Sequence, residues 1–210
     1  MLLFDRYLPD DARDGLSVLV LLHGRGSHRG DLQALRPHIP KGWGLITPQA
    51  PHPGHPWGYG PGWAWYRYVE EDQVEPQSLQ KGLADLTGFL NDLPAQLGVR
   101  PGRIVLGGFS QGGTMSLAWA LANPGRASSV LVFSGFLIAS PQMLPANGSA
   151  KGARVFWGHG LRDPSIPWAL AERGRKRLIE AGVDLATMDY EIGHWTVPEE
   201  ITQAMDFAER

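Results

Sequence analysis

Residues 103–122 read RIVLGGFSQGGTMSLAWALA, an apolar run and a helical segment joined by a turn rich in glycine. The run 103–106 has the composition of a buried strand, and 111–122 predicts a helix. Between them, residues 108–112 match the pattern G-x-S-x-G around Ser110. A serine between such a strand and helix sits in a sharp turn that only small neighbours allow. We therefore predict that Ser110 is a nucleophile; the alternative is an incidental serine, or one that binds phosphate at the helix N-terminus.

Strand and helix signals alternate along the rest of the chain. Apolar runs predict buried strands at Ser17 to Leu22, Arg103 to Leu106, Ser129 to Phe133 and Arg154 to Trp157. Weaker strands are predicted at Leu3 to Leu8, on a sheet edge, at Gly44 to Thr47 and at Ala186 to Glu191. Helices are predicted at Pro76 to Gln96, ended or kinked at Pro94, and at Gln111 to Ala122, Pro167 to Ala181 and Pro198 to Ala208. The alternation predicts an α/β fold, with a mostly parallel central sheet and helices on both faces, as a single domain over residues 1–210.

Composition indicates a globular chain that acts on a small molecule. Of 210 residues, 43% are apolar and 19% charged, and the net charge of −2 offers no basic surface for nucleic acid. The longest apolar run, Val18 to Leu22, is too short to cross a bilayer, so we expect no stable membrane insertion. Met1 to Pro9 lack the apolar stretch of a signal peptide, which favours a cytoplasmic location. The absence of cysteine excludes a thiol nucleophile and thiolate metal sites.

Two histidines follow Ser110 in the chain, and one of them is the candidate base. A serine hydroxyl is a weak nucleophile that needs an adjacent base, and around a G-x-S-x-G serine the partners follow in the order serine, acid, histidine. His194 lies after the last strand and fits this order, whereas His159 precedes the candidate acid. A structural surface histidine is the alternative interpretation of His194.

The candidate acid is Asp163. It lies just past the strand 154–157, and the sites of parallel sheets gather at the carboxyl ends of their strands. The alternative for Asp163 is a turn-forming Asp-Pro. Three other carboxylates between Ser110 and His194 flank or lie within the last strand, where we expect solvated positions: Asp184, Asp189 and Glu191.

Attack on a carbonyl also needs hydrogen-bond donors for the oxygen that becomes charged. Two backbone N–H groups are the expected donors: that of Gln111, which follows the nucleophile, and that of Arg25, in the glycine-rich turn after the first core strand. A tight turn at residues 24–26 that serves the fold alone is the alternative.

Four segments together resemble a known family. LHGRG at residues 22–26, GGFSQGG at 107–113, HGLRDP at 159–164 and GH at 193–194 look like the phospholipase/carboxylesterase family of small α/β-hydrolases, which includes the acyl-protein thioesterases. The resemblance spans about residues 15 to 208. It implies an α/β-hydrolase fold, a triad at Ser110, Asp163 and His194, and oxyanion donors at positions 25 and 111.

The same resemblance implies a cofactor-free carboxylesterase that cleaves carboxylic esters through an acyl-serine intermediate. Lysophospholipids, or protein and small-molecule thioesters, are the alternative substrates of the same triad. A non-catalytic protein that binds a small ligand in the same pocket is the less favoured alternative.

Aromatic and apolar residues near the predicted site are candidates for binding the ester. They are Trp57, Trp63, Trp65 and Tyr66 in the long loop 48–66, Phe136 and Leu137 after the strand 129–133, and Trp195 beside the candidate base. As a group they favour an acyl chain or an aromatic ester over a charged substrate, although each is equally typical of core packing. His52 and His55 lack a supporting ligand set, so we predict no metal and no cofactor. A homodimer through exposed apolar loops stays open.

Overall fold

Strands and helices alternate through the described chain, which comprises residues 1–140, 143 and 145–210 of a computed structural model. The strands are β1 (Phe4–Tyr7), β2 (Ser17–Leu22), β3 (Gly44–Pro48), β4 (His52–Pro53), β5 (Trp63–Ala64), β6 (Tyr68–Glu70), β7 (Gln73–Val74), β8 (Arg103–Phe109), β9 (Ser129–Phe133), β10 (Arg154–Gly160) and β11 (Asp184–Tyr190). The α-helices are α1 (Pro76–Leu97), α2 (Gln111–Ala122), α3 (Trp168–Glu180) and α4 (Pro198–Glu209). No described helix is long and apolar enough to cross a membrane.

Seven of these strands form the central sheet, in the spatial order β1-β3-β2-β8-β9-β10-β11. All neighbours pair in parallel except β1, which pairs antiparallel with β3 and lies at the edge, as expected. The strands β4 to β7 form two small two-stranded sheets outside it. The prediction of a mostly parallel α/β sheet is confirmed.

Helices cover both faces of the sheet because alternate side chains of each strand point to opposite sides. On β2, Val18, Val20 and Leu22 pack with residues of α1 and α2. Leu19 and Leu21 of the same strand face the other way, where they join a core cluster with residues of α4. A third cluster joins α3 to β9 and β10. Burial of both faces explains why the inner strands read as continuous apolar runs.

Most predicted strands and helices differ from the structure by one to three residues at one end or both; β10, for example, runs to Gly160 and not to Trp157, and β11 begins at Asp184 and not at Ala186. Two of the differences have clear physical reasons. The strand β8 continues past Leu106 to Phe109. Its backbone pairing with β9 needs no large side chains, so it extends through Gly107 and Gly108 to the pair Phe109 and Phe133. The helix α1 neither ends at Pro94 nor stops at Gln96; it runs to Leu97, where that residue is buried and Gly98 caps the helix with φ +73°.

Candidate active site

The turn between β8 and α2 holds Ser110 in a strained conformation. Its φ is +55° and its ψ is −117°, a region that costs a residue with a side chain roughly 1–3 kcal/mol. Its backbone N–H donates a hydrogen bond of 2.7 Å to the carbonyl of Phe133, at the end of β9. The turn is thus tied to the neighbouring strand, and Ser110 lies at the carboxyl end of the sheet.

Gly108 and Gly112 make this turn possible. A Cβ on either residue would overlap the backbone carbonyl of Leu22, the last residue of β2. The G-x-S-x-G pattern is therefore a packing requirement, because strand β8 and the first turn of α2 both press against the end of β2.

The three residues predicted to form a triad lie in contact. Ser110 Oγ is 2.9 Å from His194 Nε2, and His194 Nδ1 is 2.6 Å from Asp163 Oδ2. A carboxylate only accepts hydrogen bonds, so Nδ1 carries the proton of the neutral ring and Nε2 accepts from the Ser110 hydroxyl. The ring of Phe109 packs against the imidazole with 4.8 Å between ring centroids. This arrangement places an unprotonated nitrogen on the serine hydroxyl.

Asp163 is buried but held in its charged form. Burial acts to raise its pKa, yet the hydrogen bonds from His194 and from the backbone N–H groups of Ser165 and Ile166 outweigh that effect, and the pKa of Asp163 lies below its usual value. Both backbone N–H groups donate to Oδ1, at 2.8 and 2.9 Å, which leaves Oδ2 for the imidazole. The Asp-Pro turn that was the alternative interpretation is thus the device that orients the carboxylate.

The other candidates for base and acid are engaged elsewhere. His159 is fully buried and its Nε2 donates to the carbonyl of Ile166 at 2.9 Å, so it helps to hold the turn that contains Asp163. Each remaining carboxylate pairs with an arginine away from His194: Asp184 with Arg154, Asp189 with Arg175 and Glu191 with Arg162.

The candidate oxyanion donors are the backbone N–H groups of Gln111, which follows Ser110, and of Arg25, which follows Gly24, where a Cβ would lie 3.7 Å from Ser110 Cβ. Neither donates to an acceptor within residues 1–140, 143 and 145–210. The Gln111 side chain anchors its end of the site, since Oε1 accepts from the backbone N–H of Trp65 and Nε2 donates to the carbonyl of Tyr66, each at 2.8 Å.

His23 holds the loop that carries Arg25, a role that the sequence reading missed. Its Nε2 accepts a hydrogen bond from the backbone N–H of Ala50 at 3.1 Å, so Nδ1 carries the proton and donates to the carbonyl of Gly24 at 2.8 Å. Burial lowers the pKa of His23 to about 4, which keeps the ring neutral and this pattern intact at neutral pH. The signal available in the sequence was a histidine directly after the apolar strand that ends at Leu22.

A cavity of about 230 Å³ opens beside the serine. Ser110, His194 and Gln111 lie in its lining, with Arg25, Gly24 and Ser165 as further polar or backbone contributions. Its apolar wall is formed by Tyr66, Tyr68, Phe109, Phe136 and Ile166. The arrangement can therefore hold a small organic molecule against a serine hydroxyl, with two N–H donors nearby.

Of the seven residues predicted to bind substrate, Tyr66 and Phe136 line this cavity and the other five lie elsewhere. Trp65 and Leu137 are core residues, buried because their strand-flanking loops fold onto the helices. Trp57 packs within the loop 48–66, against the ring of His52 at 4.8 Å, whereas Trp63 packs against the core and its backbone pairs with Ser27. Trp195 is 56% exposed beside His194. Tyr68, Ser165 and Ile166, which do line the cavity, gave no motif and are brought there by the tertiary fold.

The chain matches a family model over residues 11–210, and the model is described as phospholipase/carboxylesterase. Among curated relatives, acyl-protein thioesterase 1 of Saccharomyces cerevisiae is 28% identical over 162 residues, which cover 70% of this chain and 68% of the relative. The same-named protein of Gibberella zeae is 35% identical over 114 residues, 52% of this chain and 48% of that protein. The match thus spans about half the length of the second relative.

Solved structures with the same fold include two esterases. The crystal structure of esterase PE8 has a TM-score of 0.82 and 28% identity, and the match covers 99% of this chain and 98% of that one. The Bacillus cereus carboxylesterase has a TM-score of 0.83 at 19% identity, over 100% of this chain and 94% of that one, which shows the shared fold.

Proposed function

Because this chain belongs to the phospholipase/carboxylesterase family of ester hydrolases, we propose that it is a serine carboxylesterase acting on small esters. Ser110 is the nucleophile, His194 the general base and Asp163 the residue that orients it. The observation that carries the proposal is the contact of Ser110 Oγ with His194 Nε2 at 2.9 Å, continued from Nδ1 to Asp163 at 2.6 Å. No metal or cofactor takes part.

Acylation begins with attack of Ser110 Oγ on the ester carbonyl carbon while His194 Nε2 accepts the hydroxyl proton. The carbonyl oxygen becomes negatively charged and accepts hydrogen bonds from the backbone N–H groups of Arg25 and Gln111. The C–O bond to the alcohol then breaks, and the imidazolium returns the proton to the leaving oxygen. The products are the free alcohol and an acyl ester of Ser110.

Deacylation repeats these steps with water as nucleophile. His194 takes a proton from the water, the hydroxide adds to the acyl carbon, and the same two N–H groups bind the oxyanion. Collapse returns the proton to Ser110 Oγ and releases the carboxylic acid. Asp163 stays ionised throughout and stabilises the imidazolium of each step.

The cavity supports a small substrate. Its volume of about 230 Å³ is below the range of ~300–1,000 Å³ in which pockets enclose drug-sized ligands. We therefore expect short acyl groups to be preferred over long ones, which weighs against a long-chain lysophospholipid.

Hydrolysis of p-nitrophenyl esters of graded acyl length tests the proposal. The wild type is expected to cleave the short esters fastest, and Ser110→Ala to lower kcat by at least about 10³-fold while its thermal unfolding is unchanged. A fluorophosphonate should label the wild type and not the variant. Undiminished turnover by pure Ser110→Ala contradicts the assignment.

Thioester hydrolysis is the second candidate, favoured by the relatives that bear the name acyl-protein thioesterase. The same triad cleaves either bond, so the comparison is between oxygen and sulfur esters of one acyl group and matched leaving groups. A kcat/KM that is higher for the sulfur series would move the assignment to a thioesterase.

A further inference from the structure

Among the described residues that line the cavity, one is an arginine, Arg25, and the proposed reaction does not use its side chain. Arg25 lines the same cavity as Ser110 and His194. The turn that carries it presses against the serine, since a Cβ on Gly24 would lie 3.7 Å from Ser110 Cβ. Arg25 is an exposed residue.

Aromatic rings hold the guanidinium in place. Its central carbon lies 4.8 Å from the ring centroid of Tyr59 and 6.0 Å from that of Tyr68, which also lines the cavity. Stacking against a ring face leaves the edge of the guanidinium, with its N–H groups, free to donate. The group is therefore oriented without being neutralised.

No carboxylate in the described part of the chain forms an ion pair with Arg25. Two acidic residues near Tyr68 are engaged by another arginine: Arg173 contacts Asp72 at 2.7 Å and Glu71 at 3.8 Å. The cavity wall thus presents one positive charge that no described side chain balances.

We propose, on the basis of the function assigned above, that Arg25 selects esters that carry a carboxylate close to the bond that is cleaved. The planar guanidinium donates two parallel N–H bonds to a carboxylate, a match that an ammonium group cannot reproduce. The substrate class is then acidic small esters, such as monoesters of short dicarboxylic acids or O-acyl hydroxy acids whose carboxyl group is free. This reverses the preference for uncharged substrates expected from the aromatic residues, most of which lie outside the cavity.

Two pairs of substrates test the proposal on either side of the ester. On the acyl side, p-nitrophenyl hydrogen glutarate is compared with p-nitrophenyl hexanoate; on the alcohol side, 4-acetoxybenzoate is compared with 4-acetoxybenzamide. The quantity measured is the ratio of kcat/KM for the acidic ester to that for its neutral partner. The ratio cancels any change in the backbone N–H of residue 25, because that donor serves both esters.

In at least one pair, Arg25→Gln should lower this ratio by about tenfold, the effect of losing a hydrogen bond to a charged group. Arg25→Lys should recover part of it, and added salt should lower the ratio of the wild type. Lys41→Gln removes the same charge from an exposed residue before β3, at the opposite end of the sheet, and should leave the ratio unchanged. Ratios that Arg25→Gln leaves unchanged in both pairs overturn the proposal.

Binding separates this result from a failure of the proposed function. If Ser110→Ala still turns over the neutral esters, or the wild type cleaves none, the serine mechanism is wrong whatever Arg25 does. Calorimetry with 4-acetoxybenzoate and monomethyl glutarate on the Ser110→Ala protein then tests Arg25 directly. Adding Arg25→Gln should weaken the Kd of at least one of them about tenfold, and an unchanged Kd for both contradicts the proposal.

Discussion

At the residue scale, the site depends on which oxygen or nitrogen atom of each polar side chain already has a hydrogen-bond partner. The Asp163 carboxylate divides its two oxygens between the backbone of its own turn and His194. In the same way, one ring nitrogen of His23 accepts from the N–H of Ala50 and the other donates to the carbonyl of Gly24. These local pairings, rather than the residue types alone, set the tautomers of both rings.

Asp163→Asn is expected to lower kcat by about 10³–10⁴-fold with the fold retained. The amide oxygen can still accept from Ser165 and Ile166, so the NH₂ group then faces His194 Nδ1. That contact favours the tautomer with its proton on Nε2, which cannot accept from Ser110. Steady-state kinetics and circular dichroism measure the two parts of the prediction.

The matched control is Glu191→Gln, which neutralises an exposed carboxylate that pairs with Arg162 at 2.7 Å and lies in the loop between β11 and α4 that carries His194. Its kcat should equal that of the wild type. Equal losses in both variants would show that the effect is one of net charge and not of orientation.

At the scale of elements, the approach of β8 and α2 to the end of β2 decides whether the serine turn can form. Gly112→Ala is expected to destabilise the fold by at least about 3 kcal/mol, because the added methyl group overlaps the backbone at Leu22 and no side chain can move aside. Urea unfolding followed by tryptophan fluorescence measures the change.

Gly88→Ala is the matched control, since it adds the same methyl group to a helix interior where no atom lies close. Here alanine should raise the free energy of unfolding by roughly 0.5–1 kcal/mol, because it restricts the unfolded chain and favours the helix. A loss of stability at both positions would refute the steric explanation for Gly112.

At the scale of the whole molecule, a buried carboxyl on α4 links stability to pH. Glu200 is fully buried, and burial raises its pKa to about 8 against the opposite effects of the Val197 N–H and Arg175. The folded chain therefore keeps a proton that the unfolded chain releases above its ordinary pKa of 4.5. Stability should fall as pH rises between these two values, by roughly 3–5 kcal/mol in all.

Glu200→Gln should remove this dependence, so the difference in unfolding free energy between variant and wild type grows from pH 5 to pH 9. Glu199→Gln, at the exposed neighbouring position, should track the wild type. The lowered pKa of His23 makes stability fall as pH drops below 6.5. Because His23 is present in the wild type and in both variants, its contribution cancels in the differences of unfolding free energy. A constant difference across the range would contradict the burial of an unionised Glu200.

Most of the sheet and the contact of Ser110, Asp163 and His194 could be predicted from sequence because their signals are local. An apolar run indicates a buried parallel strand, and the small residues around a serine indicate the strained turn that needs them. Once strand ends are located, Asp163 and His194 follow, because the topology of a parallel sheet brings its carboxyl ends to one edge.

The lining of the cavity had no such signal. Trp65 and Leu137 looked as suitable for substrate as Phe136, because the burial of an aromatic or aliphatic residue in a loop depends on which face of that loop packs on the helices. The partnering of charges is likewise a property of the fold: Arg173 and Arg25 are both arginines in the sequence, yet one meets Asp72 and the other meets aromatic rings. The sequence by itself thus determined the reacting groups, because the serine turn and the strand ends that carry Asp163 and His194 have local signals. The shape and charge of the pocket were decided by the tertiary structure, because they arise from contacts between segments far apart in the chain.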